Sequence, residues 1–376
     1  MAGKEKGRHA RNACGRQRHS LDGNHRRGVN WSALSEYHRA AHQEEQTLII
    51  DIHGHTNTPP SLFAYKSGLL ASRGAHGKGN PALNPEQLEN VVNNHIKNNL
   101  DKVGTDIQFL SPRPFQMMHS EKPNKIVHYF CEASNTAIAD TLKIAPTRYR
   151  GVASLPQCAG EPISTVFDEM DRCINDLGFV GLMINPDPYE GDGHHAPGMG
   201  DEYWYPLYEK MVQMDVPALI HSAGCKDPWD TYSSYFIATE TRTIISMVQS
   251  QTFKTFPNLK IVVSHGGGAV PYQIGRYRAF FGNHLAGSFD DELKKFYFDT
   301  VLYNQEALDL LLRIVGSDRC MFGTENPGTG TYRDPKSGKM LDDLKPVIET
   351  IPGITDKQKK DVFEDVARKV YTHFKG

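Results

Sequence analysis

The chain of 376 residues contains no uninterrupted apolar run of about 18 residues, the length that a membrane-spanning helix requires. It has no C-x-x-C pair, and its six cysteines (Cys14, Cys131, Cys158, Cys173, Cys225 and Cys320) are scattered along the sequence. That spacing argues against a disulfide framework and reads as reduced thiols in a cytoplasmic protein. No G-x-S-x-G elbow occurs, so the glycine run at 266–268 does not mark a serine hydrolase. No excess of charge is present either. Forty-two Lys+Arg against 44 Asp+Glu leave a net charge of −2, unlike that of a dedicated nucleic-acid binder.

Charge is nevertheless uneven. Residues 1–30 hold eight basic residues against two acids, Glu5 and Asp22, a local +6 that leaves −8 for the remainder. This stretch lacks the apolar core of a secretory signal and the apolar face of a transit peptide. Residues 1–45 are therefore expected to be a disordered basic extension. Its histidines, among them His9, His19 and His25, lack ligand spacing.

From residue 46 onward the pattern changes. Eight short apolar or β-branched runs alternate with longer amphipathic stretches: TLIIDIHGH, DIQFLSP, RGVASLPQ, FVGLMINP, VPALIHSA, LKIVVSHGG, FYFDTV and CMFGTENP. Alternation of this kind predicts βα units with parallel pairing. Continuously apolar runs such as KIVV and GLMI suit strands covered on both faces. The segment opening Asn84-Pro85 has a cap-then-proline helix start, and Val362, Val366 and Val370 mark one face of a C-terminal helix. Eight such units over residues 46–376 predict an α/β fold, a (β/α)8 TIM barrel, with a small Pro/Gly/Ala-rich insertion at 58–84 after the first strand. A doubly wound sheet would instead place a Gly-rich phosphate turn after that strand, where this chain has His-Gly-His.

Barrels of this type carry their chemistry at the C-terminal ends of the strands. Asp51, His53 and His55 alternate on the first strand and so share a side. His221 ends the fifth strand, His265 the sixth and Glu325 the eighth. Three or four imidazoles and a carboxylate at one barrel mouth favour Zn²⁺ with an open position, and Mn²⁺ or Fe²⁺ suit the same donors. Any one of these histidines alone is an ordinary polar residue at a strand end. The conjunction across four strands is what points to a metal. The fourth strand ends Met183-Ile184-Asn185-Pro186 and offers no lysine to bridge two metals, so one ion is expected.

The set H-x-H, HSAG, FPNLKIVVSHGGGAVPYQIGR and FGTEN resembles the amidohydrolase superfamily, and within it the aminocarboxymuconate-semialdehyde decarboxylase branch. The resemblance implies His53, His55, His221 and Glu325 as zinc ligands and His265 as the acid/base. That branch normally has aspartate where this chain has Glu325. The longer acid and the NPGTGTYRDPKSGKMLDD segment after it are similar to the 4-oxalomesaconate hydratase family, zinc lyases of aromatic-acid degradation. The activity so implied is addition of water to an unsaturated keto-polycarboxylate, with Glu325 also catalytic. Nonoxidative decarboxylation and lactone or amide hydrolysis are the alternatives that the same residues serve. A purely structural zinc site would be closed by its ligands and would not need His265 beside it.

A di- or tricarboxylate substrate calls for cations and hydrogen-bond donors. Arg113 follows the second strand, Asn185 ends the fourth, and Lys66 and Arg333 fall on mouth loops. Arg276 closes the most family-like segment, and the resemblance implies that it reaches a neighbouring subunit, hence a homodimer. Tyr203, Trp204 and Tyr205 read as helix packing, and the glycine-rich HHAPGMG stretch reads as a mouth loop.

Overall fold

In the computed structural model the described residues are 47–77, 81, 83–285 and 287–375. The expected basic extension, with Cys14 and its histidines, lies outside them. Eight strands run in the order in which they occur in sequence, and every neighbouring pair is parallel. They are β1 (Ile50–His55), β2 (Ile107–Ser111), β3 (Tyr149–Ser154), β4 (Gly181–Ile184), β5 (Ala218–Ile220), β6 (Ile261–Val263), β7 (Tyr297–Asp299) and β8 (Cys320–Met321). Seven fall within the runs read from the sequence, and β3 begins one residue ahead of its run, at Tyr149. The first and last strands meet through Ile52 N–H to the Phe322 carbonyl (2.9 Å) and Glu325 N–H to the His53 carbonyl (2.6 Å). Together these elements make the (β/α)8 barrel.

The principal helices are α1 (Pro60–Ser72), α2 (Pro85–His95), α3 (Lys125–Ile144), α4 (Tyr205–Met214), α5 (Tyr232–Val248), α6 (Ile274–Phe281) and α7 (Gln305–Val315). Strand residues Leu110, Ala153, Leu182 and Val263 join helix residues Val92, Ile138, Leu207 and Leu308 in one buried layer. Phe109, Val152, Leu219 and Val262 form a second cluster with Val366, Val370, Tyr371 and Phe374 from the C-terminus. Strands are buried on both sides, which is why their sequences are apolar without alternation.

Asn84 caps α2 through its side chain, which accepts from Gln87 N–H, with Pro85 at the first helical position. Two expectations need correction. The 58–84 insertion is not simply loop: it contains α1, whose Leu62 and Leu69 pack on Met117, Ile126 and Phe130. The C-terminal helix is interrupted by a π-helical turn, Asp361–Asp365, although its three valines are buried as read. Trp204 is fully buried and donates its indole N–H to the Pro197 carbonyl, a packing role. The five described cysteines are free thiols.

Candidate metal centre

The strand ends bring four side chains together. One ligand atom from each of His53, His55, His221 and Glu325 lies within 4.8 Å of the others, and all four residues are buried. The histidines carry their own evidence of purpose. Each Nδ1 is committed: His53 to the Asp299 carboxylate (2.6 Å), His55 to Ser111 Oγ (2.9 Å) and His221 to the Ser222 carbonyl (2.7 Å). Ser111 spends its own proton on the Gly54 carbonyl, which leaves its oxygen free to accept. With the proton on Nδ1, each Nε2 presents a lone pair. Those three Nε2 atoms are buried with no hydrogen-bond partner among the described residues. An unpaired buried polar atom costs about 1–3 kcal/mol. Three of them converging on one carboxylate are explained by a cation, and the donor set fits zinc or another borderline divalent ion. Burial holds His53 and His55 below their ordinary pKa, so both stay neutral and competent as ligands.

Glu325 divides its two oxygens. Oε1 faces the cluster, 3.8 Å from His221 Nε2 and 3.5 Å from His265 Nε2. Oε2 is held by the Tyr303 hydroxyl at 2.5 Å and by Thr329 N–H at 3.2 Å. Burial alone would raise this carboxyl, but His221 and His265 keep it well below the usual carboxylate range. Around it the backbone is strained: Glu325, Tyr303 and His265 have φ of +62°, +55° and +51°. Non-glycine residues in that region cluster at functional sites.

His265 sits just outside the four-residue group. Its Nδ1 is bracketed by both Glu240 oxygens at 2.9 Å, so Nε2 is turned toward Glu325. Burial works against a charge here, yet Glu240 and then Glu325 hold His265 well above its ordinary pKa. Of the site's imidazoles it is the one favoured to take a second proton. The glycines that follow turn the chain: Gly266 adopts φ +60° and its N–H reaches Asp299 at 3.0 Å.

Asp51 is not one of the four. It lies beneath them, accepting from Thr324, Gln108 and the His53 N–H, and burial pushes its carboxyl up to about 7. Asp299, Glu240, Tyr303 and Ser111 were not singled out from sequence. Of these, Asp299 alone left a trace, an acid at the end of the seventh apolar run.

A cavity of about 520 Å³ opens onto this centre, lined by His55, His221 and Glu325 and by Arg113, Phe115, Lys226 and Phe236 among others. Arg113 is half-buried there and hydrogen-bonded to Asn57 Oδ1 at 3.0 Å. Lys226, unremarked in the sequence, pairs with Glu121 across the same cavity at 3.2 Å. The other candidates are elsewhere. Asn185 turns its side chain onto Asp187, accepting its N–H and donating to its carbonyl. Lys66 lies over the Phe130 ring at 5.4 Å. Arg333 is exposed and donates to the Gly338 carbonyl. Arg276 is exposed on α6, away from the cavity lining.

Comparison with known proteins identifies the family. An amidohydrolase family model matches residues 50–372. The chain is 33% identical over 331 residues to the 2-keto-4-carboxy-3-hexenedioate hydratase of a Sphingobium species, spanning 86% of this chain and 96% of that one. It is 27% identical over 271 residues to the 2-amino-3-carboxymuconate-6-semialdehyde decarboxylase of Dictyostelium discoideum, covering 67% and 70% of the two chains. The crystal structure of the 4-oxalomesaconate hydratase of Rhodopseudomonas palustris superposes with a TM-score of 0.78 at 30% identity, over 87% of this chain and 96% of that one. With the family model spanning most of the chain and a 33% identical relative matched over 96% of its length, this chain belongs to the amidohydrolase family.

Proposed function

We propose that residues 46–376 form a zinc-dependent hydro-lyase that adds water across a C=C conjugated to a carbonyl in a keto-polycarboxylate of the 4-oxalomesaconate type. The observation that carries this reading is Glu325, four residues beyond β8, with one oxygen turned to the histidine cluster and the other fixed by Tyr303. Likeness along nearly the whole chain to hydratases of such acids supports it. His53, His55, His221 and Glu325 would hold the ion. When bound, zinc supplies a Lewis acid and lowers the pKa of water toward ~7.

The protein's own residues do the rest. Arg113 takes a substrate carboxylate in its planar fork. His265, oriented by Glu240, moves the proton at Nε2, and Glu325 Oε1, 3.5 Å away, passes it to or from the substrate carbon. The apolar wall of Phe115, Met118 and Phe236 keeps bulk water from the enolate as charge develops. We place the enzyme in the cytoplasm as a homodimer, with Arg276 facing the second copy. Asn185, Lys66 and Arg333 would act on substrate only through loop movement.

The test is to determine bound metal, then follow 4-oxalomesaconate by absorbance with CO2 trapping. One equivalent of zinc, with absorbance loss and no CO2, is the expected result. A second reading, nonoxidative decarboxylation, is favoured by the likeness to the semialdehyde decarboxylase. CO2 release would establish it in place of the first, whereas metal without turnover would reject the substrate and leave the centre.

A further inference from the structure

A second group of metal-compatible side chains lies outside the barrel mouth. His128 stands on α3, and Cys158 and Glu161 follow β3 on the adjoining loop. One ligand atom from each lies within 4.8 Å of the others. The group has a closed floor and an open roof: Cys158 is buried, whereas the His128 and Glu161 side chains are 37% and 28% exposed. Glu161 is already aimed. Asn124 Nδ2 donates to its Oε1, which leaves Oε2 on the histidine side, 3.5 Å from His128 Nε2. The thiol adjoins the Glu161 carboxylate, and its other contacts are long, to the Pro156 carbonyl at 3.5 Å and the Asn124 carbonyl at 3.8 Å.

We propose that His128, Cys158 and Glu161 form a second metal site, one that takes a thiophilic divalent cation of the zinc and cadmium class. Sulfur, imidazole nitrogen and carboxylate oxygen from three residues make half-soft ligation, suited to such ions and unsuited to Mg²⁺ or Ca²⁺, which take oxygen donors. The exposed side leaves the fourth position to water. On binding, the Cys158 S–H bond breaks, its proton leaves to solvent, and the sulfur donates the freed pair to the cation. Nothing is oxidised or reduced.

The position gives the site a consequence. The 117–124 segment, which carries the cavity-lining Met118 and Glu121, is stitched to the loop after β3. Ala159 N–H reaches the His119 carbonyl at 3.1 Å, His119 Nδ1 reaches the Gln157 carbonyl at 2.8 Å, and Lys122 Nζ reaches the Ala159 carbonyl at 2.5 Å. A cation joining α3 to that loop would tighten the same stitch and so stiffen one wall of the substrate cavity.

Cadmium separates this site from the barrel centre, because the four barrel residues include no thiol and give no thiolate-to-cadmium band. Metal-loaded protein, kept reduced, is titrated with Cd²⁺ while the ultraviolet charge-transfer band and the heat of binding are recorded. The expected result is a band saturating at one equivalent, abolished in Cys158→Ser and shifted to at least tenfold weaker affinity in His128→Gln and Glu161→Gln. No band, or an equal band in Cys158→Ser, would overturn the proposal, the latter by moving the cadmium to another thiol such as the half-exposed Cys225. Should Cys158→Ser fail to fold, unchanged cadmium affinity in both His128→Gln and Glu161→Gln would overturn it equally.

Discussion

Replacing Asp299 with asparagine changes a proton more than a shape. In the native site the Asp299 carboxylate accepts from His53 Nδ1 at 2.6 Å, and its other oxygen accepts from the N–H groups of Gly266 and Val301 at 3.0 and 3.2 Å. An asparagine can keep the two backbone bonds with its carbonyl oxygen, which leaves the NH2 facing His53. Two donors then meet unless the imidazole moves its proton to Nε2, the atom that the cluster needs bare. Partners of this kind are worth 10–100-fold in metal affinity, or about 1.4–2.8 kcal/mol at 1.4 kcal/mol per tenfold. Competition against a chelating dye on the purified variant measures it directly, and excess zinc should restore much of the lost activity. Ser111→Ala, which removes a neutral acceptor from His55, should cost less, since charge-assisted bonds are roughly twice as strong. If Asp299→Asn bound zinc as tightly as the wild type, the tautomer argument would be refuted, and with it the claim that the Nδ1 partners prepare the ligands.

Further outcomes are expected. Tyr303→Phe removes the 2.5 Å bond to Glu325 Oε2; a hydrogen bond to a charged group is worth about 1.5–3 kcal/mol, so kcat should fall by roughly 10–150-fold while metal content is kept, and loss of the metal instead would mean that the tyrosine serves only ligation. Arg113→Met should raise KM for a polycarboxylate by about tenfold or more with a smaller change in kcat, and equal KM values would remove the arginine from the substrate site. Burial alone would raise the Asp215 carboxyl, but Lys260 at 2.6 Å holds it below its ordinary value. Its stabilising contribution is therefore complete above the unfolded-state pKa and is lost as pH falls through the folded one. Lys260→Met should lower Tm at neutral pH and flatten the decline on the acid side; a Tm–pH curve parallel to that of the wild type would count against the pairing.

The cluster at the barrel mouth was legible because a barrel converts strand ends into neighbours. His53, His55, His221, His265 and Glu325 could be placed together once eight βα units were counted. Their supports were harder to see. Glu240 lies inside α5, where an acid reads as a solvated helix residue until packing turns it onto His265. Tyr303 acts from a loop residue in a left-handed conformation that no pattern announces. The arginines show the converse failure, since a cation on a mouth loop is indistinguishable in sequence from one that never meets the cavity. Arg113 lines it and Arg333 does not. Asn185 was at the right strand end, but a short amide satisfies itself on the nearest backbone, and Asp187 lies two residues away. In the insertion, α1 was hidden because few of its residues are buried and its N-terminal Pro59 makes no side-chain cap.

The seam between β1 and β8 closes with the N–H of Glu325 on the carbonyl of His53, and both residues belong to the four-residue cluster. The same pair joins the first strand to the last through the backbone, and an ion held by the cluster would join them a second time. An ion held there behaves as a clasp on a ring whose two ends are the most distant strands of the chain. Closing so long a loop is entropically costly in the unfolded state, so the clasp acts late, when the other seven seams already exist. Its removal should therefore loosen one seam and leave the rest, and hydrogen exchange in the metal-free protein should accelerate first at Ile52 and Glu325, whose N–H groups make the closing bonds.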